Sequence, residues 1–224
     1  MMHVIAHGAP RALGAALLLA ASLAAAPRSS MAAQAPQDAG AFIADLGTQA
    51  IQVLGPQVPA AQRAARFRQL FQNDFDLPQL ARFVLGPQGH NLAPQEQEEF
   101  YTLFREFLVQ SYTTRLAEYA GEPFRVTGSR STGDDTIVAS QVIRKSGQPV
   151  ELNWHVIDRD GHFLITDVDV DGVSMKMTQR NAFANIIQRN GGNASSLIAV
   201  LRQQLAQEPA ATSGSSKPRL GPPG

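Results

Sequence analysis

The chain has 224 residues, 44% of them hydrophobic, with 19 basic and 19 acidic side chains and no cysteine. Balanced charge without a basic cluster argues against nucleic acid as a ligand, and without thiols there is neither a disulfide framework nor a cysteine metal site. Roughly 175 residues between the two ends are enough to bury one core, so packing has to supply the stability.

Arg11 precedes an apolar run from Leu13 to Ala26, shorter than the about 20 residues a bilayer span needs. Small residues follow, with Ser30 and Ala32 at the −3 and −1 positions of a cleavage site. Residues 1–32 therefore read as a secretory signal peptide. Its removal takes Arg11 and Arg28 away, leaving 17 basic against 19 acidic residues, a net of −2. No cysteine follows the apolar run, so no lipid anchor is expected and the product is expected free outside the cytoplasm.

Residues 33–207 read as one α+β domain. After a short lead over Ala33–Asp38, apolar residues recur at helical spacing from Ala41 to Leu54, and Gly55-Pro56 stops them. A second helix is expected from about Pro59 to Gln72 with Phe67, Leu70 and Phe71 inward. Asp76 is placed to cap a short third one containing Leu80, Phe83 and Val84. The longest helix starts at Pro94, its N-terminus favoured by Glu96, Glu98 and Glu99. It carries Phe100, Leu103, Phe104, Phe107, Leu108, Tyr112, Leu116 and Tyr119 as an aromatic-rich stripe.

The periodicity then changes from helical to two. Strands are expected near Phe124–Ser131, Thr136–Lys145, Val150–Asp158 and Phe163–Val170, joined by short Gly- and Asp-containing turns as an antiparallel meander. On the third, Val150, Leu152, Trp154 and Val156 share a face. Asp167, Asp169 and Asp171 alternate with Val168 and Val170, which puts the acids toward water and the valines inward. Asp167, Asp169, Asp171 and Gly172 also fit the opening of a calcium loop, but its twelfth position holds Thr178 instead of Glu, so no metal site is expected. Helices are expected near Ser174–Arg189 and Ala194–Gln207. Residues 208–224 are too poor in apolar groups to order themselves.

No catalytic constellation emerges. His90 sits in a loop with no carboxylate nearby in sequence, His155 on a strand flank and His162 beside a hairpin turn; no histidine pair has helical metal spacing, and no phosphate-binding glycine loop is present. Lys176 stands where a Gly-x-Ser-x-Gly elbow around Ser174 needs glycine. Catalytic residues, metal and cofactor are therefore all expected to be none. Large apolar groups are plentiful instead, and spacing alone does not distinguish a filled core from a hollow one.

In order along the chain, several segments resemble the MlaC/toluene-tolerance family of periplasmic lipid carriers. Arg82-Phe83-Val84-Leu85-Gly86 is similar to its Arg-aromatic-x-Leu-Gly segment. Phe104 to Leu108, Ser111-Tyr112 and Tyr119-Ala120-Gly121 resemble its long helix and exit. Asp171-Gly172-Val173-Ser174 with Gln179-Arg180 and Phe183 resembles its signature, and Gly191-Gly192 with Leu197 and Leu201 its last helical pair. Two departures are Gly89-His90 where the family often has Trp, and Thr178-Gln179-Arg180 for the usual Asn-Tyr-Arg.

The resemblance implies a curved antiparallel sheet of about four strands, wrapped by N- and C-terminal helices around an apolar cavity for phospholipid tails. It implies lipid-binding roles for Phe83, Phe104, Phe107, Leu108, Tyr112, Trp154, Val168, Val170 and Val173, with Arg180 as head-group candidate. The implied partners are a phospholipid, an inner-membrane ABC lipid transporter complex and an outer-membrane lipoprotein/porin complex. A hopanoid-associated branch resembles the same pattern, so a hopanoid-like cargo is a second expectation. Two other roles fit the residues: an enzyme on a cone-shaped α+β fold, which needs Asp167, Asp169 or His155 facing inward, and a chaperone or adaptor with an exposed groove.

Overall fold

Six helices and five strands follow one another in three runs, helical at both ends and stranded between. They are seen in a computed structural model that describes residues 35–55, 57–116, 119–133 and 135–207. The expected signal peptide over 1–32 and the tail over 208–224 lie outside the described residues. Among these residues no helix is long and apolar enough to cross a membrane.

The first helix, α1 (Ala35–Leu54), begins about six residues before the expected start, with Asp38 in its first turn. Alanine-rich sequence favours that extension, and Ala39 is fully buried by it. Next come α2 (Ala60–Asp74) and α3 (Leu77–Leu85). Asp76 caps α3, its Oδ1 accepting from Gln79 N at 3.1 Å. The expected turn after α3 is a 3-10 segment over Gly86–Asn91. Then α4 (Pro94–Leu116) runs 23 residues, about 35 Å at 1.5 Å per residue.

The sheet is an antiparallel meander in sequence order: β1 (Phe124–Thr132), β2 (Asp135–Ile143), β3 (Pro149–Arg159), β4 (His162–Val170) and β5 (Val173–Ser174). The unexpected fifth strand forms because Asp171 and Gly172 both adopt positive φ, 49° and 80°, and close a two-residue hairpin. The supposed opening of a calcium loop is that hairpin. Ser174 then caps α5 (Met175–Arg189), accepting from Met177 N at 3.1 Å, and α6 (Ala194–Gln207) completes the fold.

Two hydrophobic cores result. One belongs to α1 and the sheet: Ala39, Ile43 and Leu46 pack on Val138, Val156 and Ile165. At Gly47 the helix comes so close that an added Cβ would stand 2.3 Å from the Phe124 ring. The other lies among the helices, Val53 of α1 included, and is built around Phe183, whose ring meets Phe100, Phe104 and Phe107 at 6.1, 6.0 and 5.7 Å. Leu70 and Phe75 are half-buried side chains that pack against both.

At that junction the chain is pinned to the sheet. Phe75 bridges Ile165, Asp76 N donates to Ile165 O at 3.0 Å, and Arg159 Nη2 donates to Asp76 Oδ2 at 2.5 Å.

Candidate functional site

Between the two cores lies a cavity of about 210 Å³, and the whole cleft, open mouth included, encloses about 1050 Å³ of empty space. The larger volume includes open solvent at the mouth. Leu152, Trp154, Val168 and Val170 form the sheet wall, and Phe104, Leu108, Tyr112 and Leu116 the α4 wall. Leu46 and Ala50 come from α1, Phe67, Leu70 and Phe71 from α2, Leu80 and Val84 from α3, with Phe75 at the junction. From α5 come Met175, Lys176 and Gln179, and Asp167 completes the lining.

The local sequence explains this convergence. Phe104, Leu108 and Tyr112 recur every four residues, so they stack along one stripe of α4. Trp154 is oriented by its indole N–H, which donates to the fully buried Ser140 Oγ at 2.8 Å, and by the Phe124 ring packed edge-on at 6.3 Å. A bulge between β3 and β4 pairs His155 with Asp167 and Val156 with Ile165, leaving Thr166 as the extra residue. It rephases the strand, so that Ile165 enters the sheet core while Val168 and Val170 face the cavity.

Six residues expected at the cavity meet there: Phe104, Leu108, Tyr112, Trp154, Val168 and Val170. Four others lie elsewhere. Phe107 is one step round α4 and packs on Phe183 in the helical core. Phe83 supports two cations, with Lys176 Nζ 5.2 Å and Arg180 Cζ 4.9 Å from its ring centre. Val173 is 37% exposed because it belongs to the two-residue edge strand. Arg180 lies over the Phe83 ring, its guanidinium 3.4 Å from where a Cβ on Gly86 would stand, outside the cavity lining.

Asp167 departs from the alternation argument. It is 5% exposed rather than solvated, because β5 and the start of α5 fold over it. Its Oδ1 accepts from Val168 N at 2.8 Å and Lys176 N at 3.0 Å, and its Oδ2 accepts from Ser174 Oγ at 2.5 Å. This carboxylate fastens α5 to the sheet and complements the positive end of the helix. Asp169 is half-buried, 3.2 Å from His155 Nε2, and only Asp171 is fully exposed, with its Oδ1 accepting from Glu151 N. His155, Asp167 and Asp169 each place one ligand atom within 4.8 Å of the others, but the hydrogen bonds of Asp167 commit both its oxygens to the fold.

The electrostatics fit an apolar enclosure. Burial, the largest influence, pushes the Tyr112 phenol above its ordinary value; Asp167 adds to this and Arg115 opposes it, so Tyr112 lines the wall as a neutral group. The lining that sequence reading missed was partly signalled. Phe67, Leu70 and Phe71 lay on a predicted inward face, and Leu152 on the face of Trp154. Met175, Lys176 and Gln179 had no apolar pattern to mark them.

Comparison with known proteins gives a consistent picture. A family model described as "MlaC protein" matches residues 47–203. The toluene tolerance protein Ttg2D of Pseudomonas putida is 24% identical over 106 residues, 47% of this chain and 49% of that protein. The chain thus spans about half the length of that relative. A phospholipid-binding protein from Ralstonia solanacearum, solved in complex with a phospholipid, matches with a TM-score of 0.64 at 21% identity. That match covers 75% of this chain and 97% of the other, and it shows the α+β fold of helices around an antiparallel sheet.

Proposed function

Because this chain belongs to the MlaC family, we propose that it is a soluble periplasmic lipid carrier. It holds phospholipid acyl chains in the cleft and shuttles them between an inner-membrane ABC transporter complex and an outer-membrane lipoprotein/porin complex. The observation that carries this role is the carbon-lined void in the seam between two separate cores. The phospholipid bound by the Ralstonia protein of the same fold supports the class of cargo.

The energetics agree in sign and size. A dry apolar void of about 150 Å³ admits a benzene ring, so by proportion 210 Å³ takes about eight acyl carbons. At about 0.8 kcal/mol for each buried methylene, those carbons supply about 6 kcal/mol toward holding the tail. A full-length chain needs more room. Widening of the seam, where among the described residues Leu70 and Phe75 pack against both cores, would provide it.

Phe104, Leu108, Tyr112, Trp154, Val168 and Val170 are the proposed tail contacts. An enzymatic role would need a carboxylate free to exchange protons in the cleft, and Asp167 is fully engaged in the fold. Energy for directional transport would come from the membrane partner, since nothing in this chain resembles a nucleotide site.

Native mass spectrometry of the protein purified without detergent, followed by lipid extraction, tests the carrier role. Bound phospholipid released by solvent is the expected result. A protein that neither retains nor acquires lipid from vesicles would end the proposal.

A further inference from the structure

Three polar side chains, Asp167, Lys176 and Gln179, interrupt the hydrocarbon wall, and the fold leaves the last two without a full set of hydrogen-bond partners. Gln179 Nε2 is buried and has no hydrogen-bond partner among the described residues. A buried amide donor left unpaired forfeits its hydration, so such groups mark the place of an absent acceptor. Lys176 lies three residues earlier on α5, on the same face of the helix, and lines the same cavity. Its ammonium pairs loosely with Asp167 Oδ2 at 3.9 Å and lies 5.2 Å from the Phe83 ring centre, and neither an ion pair at that length nor a cation–π contact uses a hydrogen bond. The three donors of that ammonium are thus available to a ligand.

Depth orders the two groups. The Lys176 side chain is 28% exposed, whereas the Gln179 amide nitrogen is buried. From solvent inward a ligand meets a cation, then a neutral donor, then hydrocarbon. A glycerophospholipid presents its phosphate, ester carbonyls and tails in that same order. The backbone of α5 does not compete for the anion. Lys176 N already donates to Asp167 and Met177 N to Ser174 Oγ. Asp167, the one carboxylate in the lining, is met by three donors.

Resting on the carrier role proposed above, we infer that Lys176 and Gln179 form the polar end of the lipid site. Lys176 takes the phosphate and Gln179 an acyl-ester carbonyl. This assignment gives the phospholipid already proposed as cargo a means of recognition, since a polycyclic hydrocarbon such as a hopanoid lacks both the phosphate and the ester carbonyl.

The test uses the delipidated full chain and three competing lipids with the same tails: a diester phosphatidylglycerol, its diether analogue and a diacylglycerol. Wild type is expected to prefer the diester phospholipid about tenfold over diacylglycerol, as a charge-assisted bond requires, and severalfold over the diether. Lys176→Met should bring the first ratio within about twofold of unity and leave the second in place. Gln179→Leu should abolish the second and leave the first. Lys176→Arg should preserve both, and Lys176→Gln repeats the loss should methionine disturb folding, which thermal melts will show.

Ratios unchanged by these variants, or no phosphate preference in wild type, would overturn the inference while leaving a carrier of apolar tails. Wild type that binds none of the three lipids would remove the carrier role itself. Inorganic phosphate at millimolar concentration should not displace the phospholipid; displacement would make Lys176 a free-anion site and also overturn the inference.

Discussion

Ala50→Phe separates the use of the cavity from its effect on the fold. Ala50 lines the void from α1 and is half-buried, so a phenyl group added there points into empty space. A benzene-sized group fills a void of about 150 Å³, most of the 210 Å³ present. It displaces about six of the eight acyl carbons, and at about 0.8 kcal/mol each the lost tail binding approaches 5 kcal/mol. Widening of the seam will recover part of that, so the expected loss in lipid affinity is at least tenfold. Stability should move the other way. Closing about 150 Å³ of void returns about 3.6 kcal/mol at about 24 cal/mol per Å³. Overpacking strain costs about 1–3 kcal/mol, and the poorer helix propensity of phenylalanine about 0.5 kcal/mol. The empty variant should therefore gain a little stability in urea titrations while losing lipid by native mass spectrometry. A variant that is destabilised yet keeps its lipid would refute the assignment of the tails to this void.

Three further outcomes follow from the same geometry. Trp154 is the only tryptophan and lines the cavity, so phospholipids with brominated tails should quench its emission strongly; head-group bromination should not, and equal quenching by both would count against the tail site. Gly47→Ala should destabilise by about 1–2 kcal/mol, although alanine is the better helix former by about 1 kcal/mol; the Phe124 ring 2.3 Å from the new methyl is backed by Trp154, and a stabilised variant would show that α1 can lift from the sheet freely. The acid limb of stability should depend on Glu106, whose hydrogen bonds from Arg68 hold its carboxyl below the ordinary 4.5. A carboxyl that binds its proton more readily when unfolded stabilises fully above about pH 4.5 and loses that contribution as pH falls through its folded value. With both side chains about a third exposed, the contribution is at most about 1 kcal/mol; Glu106→Gln should flatten the urea midpoint between about pH 7 and about pH 3, and an unaltered slope would contradict the pairing.

The regular parts of this fold were legible because their periods were strong. The Phe104–Leu108–Tyr112 spacing placed a stripe on α4, and the shared parity of Leu152, Trp154 and Val156 placed a face on β3. Asp76 was recognisable as a cap from its position before Leu77-Pro78. Legibility failed where tertiary packing decided the outcome. Alternation put Asp167 toward water, but the bulge, β5 and α5 leave it buried in the cavity lining. The bulge at Thr166 has no mark in the sequence. Phe107 and Phe83 are as apolar as Phe104, and only the azimuth of each helix against its neighbours sends them to the helical core. Lys176 and Gln179 belong to the cavity through the angle at which α5 leaves the Asp171-Gly172 hairpin, which no local pattern encodes.

The seam between the cores also sets how the protein should respond to compression. Unfolding abolishes internal voids, and a state of smaller volume is favoured under hydrostatic pressure. An empty cleft walled by Leu46, Leu108, Trp154 and Val170 is such a void, and tails that occupy it remove the volume gain. The lipid-free form should therefore unfold at lower pressure than the loaded form, in proportion to the space left vacant.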